Sequence, residues 1–301
     1  MQISPGPALA NPQRKRVSNR ARGGIFVVAW LIVLMPFLFW RSTWFGRPLT
    51  DTELTQYLHD TSKPRHIQHA LVQIGERLSS GKTQGVEQWY PDLAKLASSP
   101  VEEVRTTDAW VMGQAPTRPE FHDALLLMLH DRSVAARNNA ALALVRYGDA
   151  SGHDQIVAML KPLSITAPAA GKIQQIANSG EAIRSATVVA RIYTKGFWER
   201  AGIRHPGEAL EDIRSPITGA VGQVRVRKGD QVERGAEIAT VNPGTDQVWE
   251  ALRALYLIGT TDDLDIVKAY ERPQPNIADR VQQQARETGN AIRARGGAAH
   301  L

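Results

Sequence analysis

His66 and His69 stand three residues apart, a spacing that two metal ligands on one helix could use. They fall opposite the apolar face set by Ile67, Ala70, Leu71 and Ile74, with no carboxylate pair nearby to complete a site. They read as solvated surface side chains. Glu102/Glu103 and Asp262/Asp263 are adjacent carboxylates, the residue type that general acid–base chemistry uses. Each pair opens a predicted helix, where the macrodipole favours negative charge without any catalytic role. Cysteine is absent, which excludes disulfides, thiolate metal sites and Cys nucleophiles. No P-loop, G-x-G-x-x-G, G-x-S-x-G or H-E-x-x-H pattern occurs. The expectation is a protein that is not an enzyme, with no catalytic residue, no metal and no cofactor.

Charge and hydropathy locate what such a chain could act on. The formal charge is +6 over 301 residues, with 43% apolar and 22% charged residues. Residues 1–47 carry seven basic side chains and no acidic one, so the rest holds 29 basic against 30 acidic residues. A nearly neutral body lacks the electrostatic footprint of a nucleic-acid binder. The basic excess instead flanks residues 25–40 (IFVVAWLIVLMPFLFW), sixteen positions without a charge. As a helix they would extend about 24 Å, against a hydrocarbon core of roughly 30 Å. The expected membrane anchor comprises Ile25, Trp30 and Pro36, with Trp40 and Trp44 in an interfacial aromatic belt. FLFWRSTWFGRP after the run has no small-residue cleavage site, which disfavours a signal peptide. A run apolar on every face beside a basic, Pro-rich leader likewise disfavours a buried soluble helix. The positive-inside rule then places the N-terminus in the cytoplasm and about 250 residues across the membrane.

Beyond the anchor, one phrase recurs: Ala70-Leu-Val-Gln-Ile-Gly75, Ala143-Leu-Val-Arg-Tyr-Gly148 and Ala254-Leu-Tyr-Leu-Ile-Gly259. A further copy, Val104–Gly113, aligns with Ala136–Val145 at a shift of 32. A second apolar helix is predicted after each of three copies: Phe121–His130, His153–Lys161 and Asp263–Tyr270. The Gly closing the phrase suits a left-handed helix cap. Stacked helix pairs can bury apolar faces that one pair cannot. The pattern resembles HEAT-like repeats, most clearly over Asp131–Asp149, and the resemblance implies an α-solenoid offering binding surfaces.

Between residues 163 and 243 the period changes to strand-like alternation punctuated by Gly and Pro. A duplication lies inside it. Pro168, Gly171, Ile173 and Ile176 match Pro216, Gly219, Val221 and Val224 at a shift of 48. Gly180, Glu181, Ile183, Val189 and Ile192 match Gly229, Asp230, Val232, Ile238 and Val241 at 49. Gly171 and Gly219 suit tight turns, and Gly180 and Gly229 suit hairpin tips. Two copies packed face to face would give a small β-sandwich with a pseudo-twofold axis. The copies resemble the biotinyl/lipoyl-type barrel-sandwich domain, particularly that of HlyD-type membrane-fusion (periplasmic adaptor) proteins. The first copy departs from the pattern at Ala186, where the last turn should carry Gly.

In carrier members of that family a tight hairpin presents a modified lysine, and in adaptors a long coiled-coil hairpin replaces it. Here residues 193–213 form a link too long for the first and too short for the second. Lys195 is its only lysine and lacks the flanking carrier motif, so it reads as an ordinary surface residue, with a cofactor-carrying lysine as the alternative. Phe197 and Trp198 are the candidate partner contacts, with simple packing the plainer reading.

The expected fold is mainly α with a β insertion. It comprises a basic tail (1–22), a transmembrane helix (23–45), HEAT-like solenoid repeats (51–162), an inserted barrel-sandwich hybrid (163–243) and a final repeat with a capping helix (244–296). By resemblance, the expected function is a single-pass adaptor or scaffold subunit of a bacterial inner-membrane transport assembly, with its bulk periplasmic. Expected partners are the membrane, other envelope proteins such as an ABC- or RND-type transporter, and further copies of itself, but no nucleic acid. A tethered interaction scaffold unrelated to transport and a lipoyl or biotin carrier are the alternatives.

Overall fold

The computed structural model describes residues 47–195, 208–275 and 277–298, together with Trp30, Ile32, Leu34 and Met35. Two compact units divide the chain, residues 1–50 and 51–301. In the first, Trp30, Ile32 and Met35 are exposed; Ile25, Pro36, Trp40 and Trp44 lie outside the described residues.

The second unit begins with helices α1 (Asp51–Leu58), α2 (Pro64–Ser79), α3 (Tyr90–Leu96), α4 (Glu102–Met112), α5 (Pro119–Met128), α6 (Val134–Arg146) and α7 (His153–Ala158). Pro near the start of α2, α3 and α5 sits where the backbone N–H has no helical partner to lose. At the start of α6, the Ser133 hydroxyl accepts from the Ala136 N–H at 3.2 Å. Strands β1 (Leu163–Thr166), β2 (Gly171–Ile176), β3 (Ala182–Ile183), β4 (Val188–Lys195), β5 (Glu208–Arg214), β6 (Gly219–Val224), β7 (Gln231–Val232) and β8 (Glu237–Pro243) follow. The chain ends in α8 (Thr245–Ile258), α9 (Leu264–Ala269) and α10 (Asp279–Ala298).

The expectation of a mainly α solenoid crossing a membrane is corrected. Helices take about half of the structure and share it with two antiparallel four-stranded sheets. Helices α2, α4, α6, α8 and α10 do pack in series, each against the next. Their companions are unequal, however: α3 has seven residues, α5 ten, and α7 and α9 six each. A solenoid needs one pairwise packing repeated at a fixed period, and companions of such different length cannot supply it. Among the described residues no helix is long and apolar enough to cross a membrane; most of 23–45 lies outside them.

The closing glycines also serve another end than the one expected. Gly148 is left-handed, with φ of +74°. Gly75 lies inside α2, where a β-carbon would collide with the Trp110 ring. At Gly113 one would stand 2.7 Å from the Ala143 β-carbon. Gly75 and Gly113 are therefore small so that neighbouring helices can approach, and neither supplies a left-handed cap.

The two sheets run β1-β8-β6-β3 and β5-β4-β2-β7 and close over one core that includes Ile173, Ile192, Val221, Ile238 and Val241. Exchanging the two halves of the segment (β1 with β5, β2 with β6, β3 with β7, β4 with β8) turns one strand order into the other. The copies are therefore interlocked, not stacked as one sheet each. β3 of the first copy pairs with β6 of the second, and β7 of the second pairs with β2 of the first. Hydrogen bonds between copies come in matched sets. Gly180 N donates to Val221 O at 2.7 Å and Gly229 N to Ile173 O at 2.8 Å. Gly171 and Gly219 sit within strands, where a β-carbon would strike the carbonyl oxygens of Tyr193 and Asn242. Close backbone approach, not a turn, requires them.

Ala186 is the non-glycine residue with positive φ, +65°, among the described residues, and its counterpart Gly235 has +83°. The fold holds the alanine in a conformation that costs an L-residue about 1 kcal/mol or more. Ala186→Gly is expected to stabilise the protein by roughly 0.5–1 kcal/mol, and Gly235→Ala to destabilise it by a similar amount, both read from denaturant midpoints at unchanged slope.

Candidate binding groove

The helices on either side of the β segment share one core: Ala141, Val145, Ile156, Met159 and Leu160 pack with Val248, Leu252, Leu255, Val267 and Val281. Val248, Ala251, Leu252 and Leu255 place the buried stripe of α8 at helical spacing. Near its C-terminal end α8 also exposes Tyr256 (44%) and Leu257 (60%). Arg295 of α10 fixes that end, donating to the carbonyls of Tyr256 (2.6 Å), Leu255 (3.2 Å) and Gly259 (2.9 Å). A guanidinium bonded to the last carbonyls of a helix complements its negative end.

These two side chains line a groove of about 890 Å³. One wall comes from Trp110 of α4 and Asn139, Leu142 and Arg146 of α6. The other comes from Glu250, Arg253, Tyr256 and Leu257 of α8 and Gln284, Glu287 and Asn290 of α10. Asn139, Leu142 and Glu250 also line a second cavity, of about 1380 Å³, between these helices and β6 and β8, so the two spaces adjoin. Arg253 lies 4.5 Å from the centre of the Trp249 ring and 3.7 Å from Glu250. Asn139 Nδ2 donates to Thr106 O at 2.8 Å. The groove thus offers an apolar patch bordered by amides and by charges of both signs, the composition of a protein-contact surface.

The sequence-predicted residues lie elsewhere. His66 stacks on Tyr57 with ring centroids 4.2 Å apart and bonds Asp60 Oδ2 at 2.7 Å. His69 is buried and its Nε2 meets Gln73 Nε2 at 2.8 Å. Neither is the solvated surface residue expected, because α2 is covered by α1 as well as by α4. Among the described residues no group of three potential ligands could hold a metal. Glu102 and Glu103 occupy the first turn of α4, where Glu102 Oε1 accepts from the Ser133 hydroxyl at 2.8 Å. Asp263 is buried, accepting from His153 Nε2 at 2.8 Å as well as from Thr260 N at 2.8 Å. Lys195 pairs in register with Glu208, within the β4–β5 ladder. Phe197 and Trp198 lie outside the described residues.

The groove was missed, although a signal for it exists. In the recurring phrase the fourth position is Gln73 in one copy and Arg146 in another, but Leu257 in the third. An apolar residue at a solvent-facing repeat position is the mark of a contact. Compared with known proteins, the sequence matches no family model and no curated protein.

Two buried ionisable side chains of α4, Arg105 and Asp108, are not among the groove's lining residues. Arg105 of α4 clamps Asp131 with two bonds, 2.6 Å from Nε and 2.9 Å from Nη2. That contact holds the aspartate below the usual carboxylate range and raises the arginine. Asp108, also on α4, is fully buried, and neither carboxylate oxygen has a hydrogen-bond partner. Desolvation pushes its pKa well above 3.8, so it folds as the neutral acid. The unfolded chain releases that proton near 3.8, so above this pH the folded state binds one proton more and stability falls as pH rises. The slope from this group is about 1.4 kcal/mol per pH unit until its folded pKa is reached. Asp108→Asn removes this component. Its stability advantage over the parent is expected to grow from pH 4 upward, as measured by urea midpoints across the pH range.

Proposed function

We propose that the protein is a non-enzymatic adaptor or scaffold that works by protein–protein binding within a bacterial envelope transport assembly. The observation that carries the reading is the groove with Tyr256 and Leu257 exposed along one wall. Exposed apolar side chains bordered by polar groups are what a docking partner desolvates. The envelope setting is supported by composition: the uncharged run 25–40 lies beside basic residues. The transport setting is supported by the resemblance of the duplicated copies to HlyD-type adaptors. The body's near-neutral charge fits a protein partner better than a nucleic acid.

A photo-crosslinking amino acid at Leu257, used in intact cells, tests the reading. The expected product is an adduct with a subunit of an ABC- or RND-type transporter. Leu257→Asp should lower co-purification of that subunit about tenfold or more, the loss of a contact worth roughly 1.4 kcal/mol. An unchanged circular-dichroism spectrum would separate this from unfolding. Recovery of no transporter subunit from position 257, with the folded protein abundant, rejects the proposal.

A further inference from the structure

The groove has one wall upstream of the sheets, on α4 and α6, and the other downstream, on α8 and α10. Besides apolar packing, polar ties among the described residues join these halves. Gln247 Nε2 donates to Met159 O at 2.9 Å, and the Tyr270 hydroxyl donates to Leu160 O at 2.7 Å. His153 Nε2 meets Asp263 Oδ2 at 2.8 Å. The first tie has no titratable group, and burial pushes the Tyr270 phenol up to about 12. The third joins an imidazole to a carboxylate, the combination that changes charge near neutral pH.

We propose that the His153–Asp263 pair is a proton-dependent latch between the two halves of the helical layer, tight when the imidazole is charged and slack when it is neutral. The Asp263 carboxylate is held independently of the histidine. It accepts from Thr260 N at 2.8 Å and from the Thr260 hydroxyl at 3.3 Å in a capping box. Loss of the imidazole proton therefore leaves the acid in place and weakens only the bond that crosses between halves. A charge-assisted bond is about twice as strong as its neutral counterpart.

The charged groups around the ring are few. Asp154, on the same helix and exposed, lies 3.5 Å from His153 Nδ1. From α6, Arg137 is engaged elsewhere, by Asp131 O at 2.6 Å and Gln155 Oε1 at 3.3 Å. Among the described residues α8 makes no ion pair with His153. Burial alone would lower the histidine's pKa, but Asp263 and Asp154 outweigh it and raise it above 6.5. A raised folded pKa means that the stabilisation is complete below 6.5 and is lost as pH rises through the folded value. His59–Asp92, His66–Asp60 and His122–Asp149 are similar pairs, but both members of each lie upstream of the sheets and bridge nothing across them.

The consequence for binding rests on the groove being the docking site; the latch itself does not. Because the chain has no cysteine, Arg146→Cys and Glu287→Cys can carry spin labels on opposite walls without background. Pulsed electron–electron resonance on the full chain should give one narrow distance at about pH 6 and a distribution broadened or lengthened by about 2 Å or more at about pH 8.5. His153→Gln should give the broad distribution at both values. Asp154→Asn, which keeps the pair, should respond like the parent. An identical distribution at both pH values in the parent overturns the latch, and so does a pH response that survives in His153→Gln. Neither readout involves a partner, so failure here is distinct from failure of the crosslink at Leu257.

Discussion

The pairing of β1 with β8 is the constraint on which the rest depends. Leu163 sits opposite Val241 and Ile165 opposite Ala239, so the β segment leaves the helices and returns to them on adjacent strands. Fixing two points so far apart in sequence costs loop-closure entropy. The buried residues beneath both strands, Ile165, Ile238 and Val241 among them, offset that cost. With the two ends held side by side, α8 begins where α7 stops, and α6, α7 and α8 can share one core. Were β1 and β8 to separate, the groove would lose the register between its walls.

The duplicated copies solve a problem of size. Each alone offers short strands, two of them only two residues long, which could not hold a sheet by themselves. Exchange of strands gives each sheet a piece of both copies, and the core fills from both sides. Some positions then have duties imposed by the partner copy. Ser215 and Ala167 exchange matched bonds with the opposite copy's turn, Ser215 N to Thr187 O and Ala167 N to Ala236 O.

Much of this was legible locally and little of it at long range. The change of period after residue 162 and the paired motifs at shifts of 48 and 49 can be read directly from residue types. So can the left-handed turns at Gly180 and Gly229. Which copy each strand would join could not be read, because Ala182 and Ala220 pair across 38 positions that carry no signal of it. The histidines show the same limit. His69 looked outward by helical spacing alone, yet α1 covers it from the other side. His153 and Asp263 are separated by 110 residues and meet only because the segment between them closes on itself. The companion helices vary for a comparable reason: the repeated phrase fixes the first helix of each pair and leaves the length of the second free.

Interlocking has a consequence for the order in which the molecule can be assembled. As the chain leaves the ribosome, β1 emerges about seventy residues ahead of β8, and the helices before it must wait with one flank uncovered. β2 and β3 likewise lack their neighbours from the second copy until those are made. A truncated chain ending anywhere within the second copy would carry open strand edges and a bare helical flank together, the surfaces that chaperones hold and proteases clear. Maturation therefore waits on the last strand and on the helices after it, which together close the sheets and cover the helical flank.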